Sequence, residues 1–204
     1  MVNSVLEASL DLLFPRHCVL CGLRSHCDIP LCQACRQDLQ ANTSYCCQCA
    51  LPLPAMAGRE PVPGRLCGNC QRRPPPYRQV LAPWQYTEHL AYLIKRWKFN
   101  RDNRLTKLLA RLWLAGCDEP PAVDLIVPVP LHWRRLCRRG FNQSELLARE
   151  LRAQCQTLRH TPIAARGVRR HRATAAQSGM NASARTRNLQ GAFTVNQPCD
   201  KLRV

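Results

Sequence analysis

Acidic residues are scarce in this chain. It carries 13 Asp and Glu against 30 Lys and Arg in 204 residues, a formal net charge of +17. The imbalance is concentrated late: residues 131–204 hold 15 Lys or Arg and 3 Asp or Glu, a net +12. Such a surplus points to phosphate as the partner chemistry, whether in nucleic acid, a nucleotide or a phosphorylated sugar. Long apolar runs are also missing, and none reaches the length of a membrane span. A secretory signal is missing too. The start, MVNSVLEASLDLLFPRHC, has no basic segment, and Glu7 and Asp11 interrupt its apolar residues. These absences make a reducing cytoplasm the expected compartment, where clustered cysteines favour metal over disulfides.

Cysteine is abundant. Ten of the 14 lie in the first 70 residues. Residues 1–14 read as an amphipathic helix with Val5, Leu6, Ser9, Leu10 and Leu13 on one face, stopped by Pro15. Residues 15–76 then repeat one spacing four times: Cys18-x-x-Cys21, Cys32-x-x-Cys35, Cys46-x-x-Cys49 and Cys67-x-x-Cys70. Two intervening residues let a tight turn bring both thiolates to one tetrahedral Zn²⁺. Four pairs supply two sites, grouped either in order or interleaved. Gly22 and Gly68 are expected to give turn freedom beside their pairs, and Cys27 and Cys47 are spare. With every ligand position filled, the expected role of the metal is structural: it folds a unit too poor in apolar residues to fold alone. A nucleic-acid-binding ribbon is the other reading.

Pro74-Pro75-Pro76 marks a stiff linker, so residues 77–204 are expected to form a second domain. Residues 80–86 read as a strand. Residues 88–99 read as a helix with Leu90, Leu93, Ile94 and Trp97 on one stripe, and residues 103–115 as another through Leu105, Leu108, Leu109 and Leu112. The stretch from Asp124 to Gln143, DLIVPVPLHWRRLCRRGFNQ, reads as a short strand ended by Pro128 and Pro130 and emptying into a cationic loop with Arg134, Arg135, Arg138 and Arg139. A helix follows, with Asn142 as N-cap and Glu145 as its partner three positions on. Strand then helix suggests the start of a βαβ unit and an α/β domain. Residues 162–170 and 191–195 read as further strands, and 202–204 as the start of a fourth. Residues 171–188, rich in Ala, Ser, Thr and Arg without apolar period, read as a mobile loop.

Together these segments resemble the ComF family. The resemblance is carried by LLFPRHCVLCG, the paired CxxC motifs, Lys95-x-x-Lys98-Phe99, VPVPLHWRRLCRRGFNQSELLA and RATAAQSGMNASARTRNLQGAF, and it covers nearly the whole chain. It implies a type I phosphoribosyltransferase-like (Rossmann-like) α/β domain behind a small double zinc ribbon. The implied role is in DNA uptake and natural competence, with phosphoribosyl pyrophosphate or a related phosphate as ligand and Mg²⁺ as its companion. In this picture Arg134, Arg135, Arg138, Arg139 and Gln143 face pyrophosphate, and Arg185 and Arg187 belong to a loop closing over the substrate. A non-catalytic adaptor that binds single-stranded nucleic acid and competence-machinery proteins is the alternative, and a gluconate-utilisation role is carried by one branch of the family. The family signature of two acidic residues followed by Thr-Thr-Gly-x-Thr has no counterpart in residues 1–204, which end in what reads as the strand before it. The expectation is a domain short of its main substrate loop and at least one strand, with little or no transferase activity and reduced stability.

Overall fold

The computed structural model describes residues 16–117 other than 26, 28, 55–63 and 101, and residues 119–204 other than 178, 198, 200 and 201. The expected helix at 1–14 lies outside the described residues. Two compact units make up the chain: Met1–Lys95 with Ala115–Asp118, and Arg96–Leu114 with Glu119–Val204. The first unit thus runs on beyond the proline run at 74–76.

The first unit is two copies of one small motif. A hairpin-like turn carries the leading Cys pair, and a one-turn helix carries the trailing pair. The helices are α1 (Gln33–Gln37) and α2 (Gly68–Arg72), capped by Cys32 and Cys67 in extended backbone. Each is too short to be stable through its own hydrogen bonds. Residues 80–86 do not form a full strand. They lie extended and meet the ribbon through a single antiparallel bridge, Ala41 with Trp84. Pro83 has no N–H to donate, so the ladder stops there. Asn42, buried, holds the segment instead: its backbone N–H reaches the Pro83 carbonyl at 2.8 Å, and its side-chain amide donates to the carbonyls of Ala50 (2.9 Å) and Ala82 (3.0 Å).

Helix α3 (Glu88–Phe99) and helix α4 (Arg104–Gly116) form where the apolar period predicts. Leu93, Trp97, Leu105, Leu108 and Leu112 are all buried. The Trp97 indole N–H donates to the Thr106 hydroxyl at 2.9 Å, so neither buried polar group is orphaned. Gly116 is the last residue of α4, where a β-carbon would lie 2.7 Å from the Pro83 β-carbon.

In the second unit the expected strand at 124–129 is reduced to one parallel bridge. Ile126 donates to the Pro162 carbonyl and accepts from Ala164, both at 2.9 Å. Pro128 and Pro130 remove the donors that would extend it. The bridge is parallel with two helices between its residues in the chain, the sense of a βαβ connection. On the other side, the Asp124 and Leu125 N–H groups donate to the Arg203 carbonyl, and the Asp124 carboxylate accepts from the Arg203 backbone N–H at 2.9 Å.

The four arginines are not in a loop. They ride on helix α5 (Trp133–Arg139), capped by His132 and closed by Gly140 at φ +83. Helix α6 (Gln143–Gln154) follows with Asn142 as N-cap, as expected. Glu145 is not its reciprocal partner, because the carboxylate accepts from Arg149 at 2.6 Å. The expected strands at 162–170 and 191–195 shrink to β1 (Val168–Arg170) and β2 (Phe193–Val195), paired antiparallel with Val168 opposite Val195. Between them the expected loop contains helix α7 (Ala182–Leu189), started by the Asn181 side chain accepting from the Ala184 N–H at 2.9 Å.

Asp102 pins the start of α4. Its carboxylate accepts from Arg104 at 2.9 Å and pairs with Arg96 at 3.1 Å, and its side chain is only 8% exposed. The hydrogen bond from Arg104, then the charges of Arg104 and Arg96, outweigh burial and hold its pKa below the ordinary aspartate value. A carboxylate depressed in the fold stabilises above its unfolded pKa and loses that contribution as pH falls through its folded one. Asp102→Asn should therefore lower unfolding stability by about 1 kcal/mol near neutrality. In urea titrations the gap from wild type should close as pH falls below the carboxylate range, and a gap independent of pH would contradict the assignment.

Candidate metal centres and a cationic cleft

The cysteine pairs converge in sequence order. Cys18, Cys21, Cys32 and Cys35 place their sulfurs within 4.8 Å of one another, and so do Cys46, Cys49, Cys67 and Cys70. Cys21 Sγ to Cys32 Sγ is 3.8 Å, and Cys49 Sγ to Cys67 Sγ is 3.7 Å. A tetrahedron with Zn–S bonds of ~2.3 Å has S···S edges of about 3.8 Å, whereas a disulfide needs about 2.05 Å. Geometry and donor set fit a structural Zn²⁺ at each cluster.

The two leading turns match atom for atom. Cys18 N–H reaches the Leu23 carbonyl and Gly22 N–H the Cys18 carbonyl; Cys46 and Leu51, then Ala50 and Cys46, repeat this at 2.7–2.9 Å. The fifth residue of each turn is left-handed, Gly22 at φ +76 and Ala50 at φ +58. The expected turn glycine at 68 is instead the first residue of α2, where no positive φ is required. Backbone amides meet the sulfurs. Burial raises the Cys18 thiol, but hydrogen bonds from the backbone of Cys21, Cys32 and Leu20 prevail and bring it down to about 6. Burial acts likewise on Cys46, and the backbone of Cys49, Cys67 and Gln48 brings it down to about 6. Cys35 and Cys70 are pushed up, by burial and then by the neighbouring sulfurs. Four thiolates this close need a cation to be ionised together. The spare Cys27 and Cys47 stay outside both clusters.

In the second unit several cations gather around α5. Arg134, Arg135 and Arg138 line a cleft of about 300 Å³ together with His132, Ala173 and Thr174. No carboxylate is among those lining residues. Arg135 crosses the cleft to donate to the Thr174 carbonyl at 3.1 Å, and Arg170 bonds the Thr174 hydroxyl. His132 is buried, and its Nδ1 accepts from the Arg134 N–H at 3.3 Å and so starts α5.

The other four expected phosphate contacts stand elsewhere. Arg139 points its guanidinium over the Phe99 ring, 5.2 Å from the centroid, and donates to Gln143 Oε1 at 3.2 Å. Gln143 is buried, and its amide donates to the Lys98 carbonyl at 3.4 Å. Arg185 and Arg187 are exposed on α7, outside the cleft lining, with Arg187 bonded to Ser183. Sequence reading missed Arg170, Thr174 and Lys98 as neighbours of the cationic group. Burial and then the charge of Arg139 lower the Lys98 pKa; burial and then Arg135 and Arg138 lower that of Arg139; burial and then Arg135 lower that of Arg170. The Nε atoms of Arg139 and Arg170 are buried without a hydrogen-bond partner. Burial and mutual repulsion thus act together on Lys98, Arg139 and Arg170.

The sequential grouping has a direct check. Chain stripped with a chelator should rebind two Zn²⁺, and Cys18→Ser combined with Cys32→Ser should rebind one. Loss of both by that pair of substitutions would require the interleaved grouping.

The double zinc ribbon domain family matches residues 9–71. The DNA utilization protein YhgH of Salmonella typhi is 37% identical over 205 residues, covering 95% of this chain and 83% of its own. The protein of the same name from Escherichia coli K12 is 35% identical, covering 87% of this chain and 79% of its own. Competence protein F of Haemophilus influenzae is 32% identical, covering 81% and 69%. No solved structure matches. The chain therefore belongs to the ComF family, to which these DNA utilization and competence proteins are its relatives.

Proposed function

We propose that this protein acts in DNA uptake or utilization and that its α5 cleft binds the phosphate groups of phosphoribosyl pyrophosphate or a related phosphorylated ligand. The names of the relatives support the cellular role. The carboxylate-free cleft of Arg134, Arg135 and Arg138 carries the chemistry. Arginine forks grip phosphate oxygens in pairs, and an incoming anion would relieve the repulsion among the cations around the cleft. Zn²⁺ in this reading folds the first unit and stays out of the chemistry. The cleft lining offers no acid to hold Mg²⁺, so no step of the reading passes through that ion. The phosphoribosyltransferase-like α/β domain is part of the same proposal, supported by the parallel bridge across α6 and by the ligand chemistry of α5.

Calorimetric titration with inorganic pyrophosphate and with phosphoribosyl pyrophosphate tests this. Wild type should bind saturably. Arg135→Ala and Arg138→Ala should each weaken binding by about tenfold or more, the cost of a charge-assisted hydrogen bond. Arg149→Ala, on α6 and paired with Glu145, should leave binding unchanged. Equal weakening by all three would reduce the effect to net charge and sink the assignment.

A further inference from the structure

Helix α5 has a second face that phosphate does not explain. Trp133 and Leu136, three residues apart and so on one side of the helix, line a separate cleft of about 480 Å³. Pro130 and Leu131 continue the apolar wall, and Arg166 and Arg169 line the same cleft. Trp133 is 62% exposed and Leu136 is 40% exposed. Neighbouring residues of α5 line the two clefts. Arg134 lines the cationic cleft, and its guanidinium carbon sits 5.3 Å from the centre of the Trp133 ring. The His132 ring lies 5.7 Å from it, tilted by 36°. An aromatic platform therefore stands one residue from a guanidinium cluster.

Resting on the phosphate-binding reading above, we propose that Trp133 is a stacking platform for a nucleobase, so that α5 binds a base-bearing phosphate, with base on the Trp133 cleft and phosphate on Arg134, Arg135 and Arg138. The volume suits such an occupant, since sites for small ligands run from about 300 to 1,000 Å³. A bare sugar pyrophosphate would use the arginines and leave the tryptophan idle. Aromatic stacking beside a cationic track is how single strands are held without sequence preference. The acid in the apolar cleft does not oppose this, because Glu145 is neutralised by Arg149 at 2.6 Å.

The test uses the full chain and four probes: oligothymidylate, an abasic oligonucleotide of the same length, thymidine monophosphate and inorganic pyrophosphate. Fluorescence anisotropy of labelled strands should show oligothymidylate binding about tenfold more tightly than the abasic strand, a typical stacking contribution for one base. Trp133→Ala should bring oligothymidylate down to the abasic level and leave the abasic strand unchanged, while Trp133→Phe should keep most of the difference. Competition by the mononucleotide at comparable concentration would assign a free nucleotide as the source, and competition by strands alone would assign single-stranded nucleic acid. Equal binding of base-bearing and abasic strands, or an equal loss on both in Trp133→Ala, would overturn the stacking site while leaving the phosphate reading intact. Binding of no probe, pyrophosphate included, would overturn both.

Discussion

Like charge gathered around a cleft whose lining residues include no carboxylate is the constraint around which the second unit is arranged. Arg135, Arg138, Arg139, Arg170 and Lys98 crowd one region, and burial and mutual repulsion act together on three of them. The fold contains this strain with neutral acceptors. Thr174 takes bonds from Arg135 and Arg170, Gln143 takes Arg139, and the Phe99 ring offers its face to the same guanidinium. Neutral acceptors hold a cation in place without cancelling its field. The bond to the Thr174 carbonyl therefore holds Arg135 at the cleft without cancelling its charge. Asp102 shows the contrast: where the chain wants an arginine merely anchored, it supplies an acid.

The first unit solves a different problem. The cysteine ribbons have little apolar area to bury, and their helices are one turn long. Their order comes from turn geometry that presents sulfur to metal: a left-handed fifth residue, two backbone hydrogen bonds, and a thiolate capping a helix N-terminus. Metal binding and folding are then one event. Asn42 extends the same unit by tying the segment around Pro83 to the second turn. No helix among the described residues is long and apolar enough to cross a membrane.

Much of this was legible in sequence, and the exceptions have physical reasons. The cysteine spacing announces two tetrahedral sites, but spacing alone leaves the grouping open, and only the convergence of the sulfurs decides it. Ala50 escapes notice because an alanine in left-handed backbone has no compositional mark; its place beside Cys49, matching Gly22 beside Cys21, is the signal that was there to find. Helices α3, α4 and α6 follow their apolar stripes. Helix α5 does not, since four arginines in seven residues carry no apolar period, and its evidence is the pair of boundaries His132 and Gly140. Helix α7 is hidden in the same way and revealed by Asn181. The strand expected at 124–129 comes out shorter than its β-forming residues suggest, because prolines at 128 and 130 silence the donors. The α5 arginines were found as a group from sequence, but which of them share a cleft depends on helical phase: positions 134, 135 and 138 fall together, and 139 turns toward Phe99.

The central claim is that these three guanidinium groups form one anion site. Nitrogen-15 NMR of the arginine Nε–H groups, followed during titration with inorganic pyrophosphate, reads it residue by residue. The account predicts that the Arg134, Arg135 and Arg138 resonances shift together with a single dissociation constant while those of Arg185 and Arg187 hold still. Uniform small shifts across all arginines, scaling with ionic strength and never saturating, would contradict it.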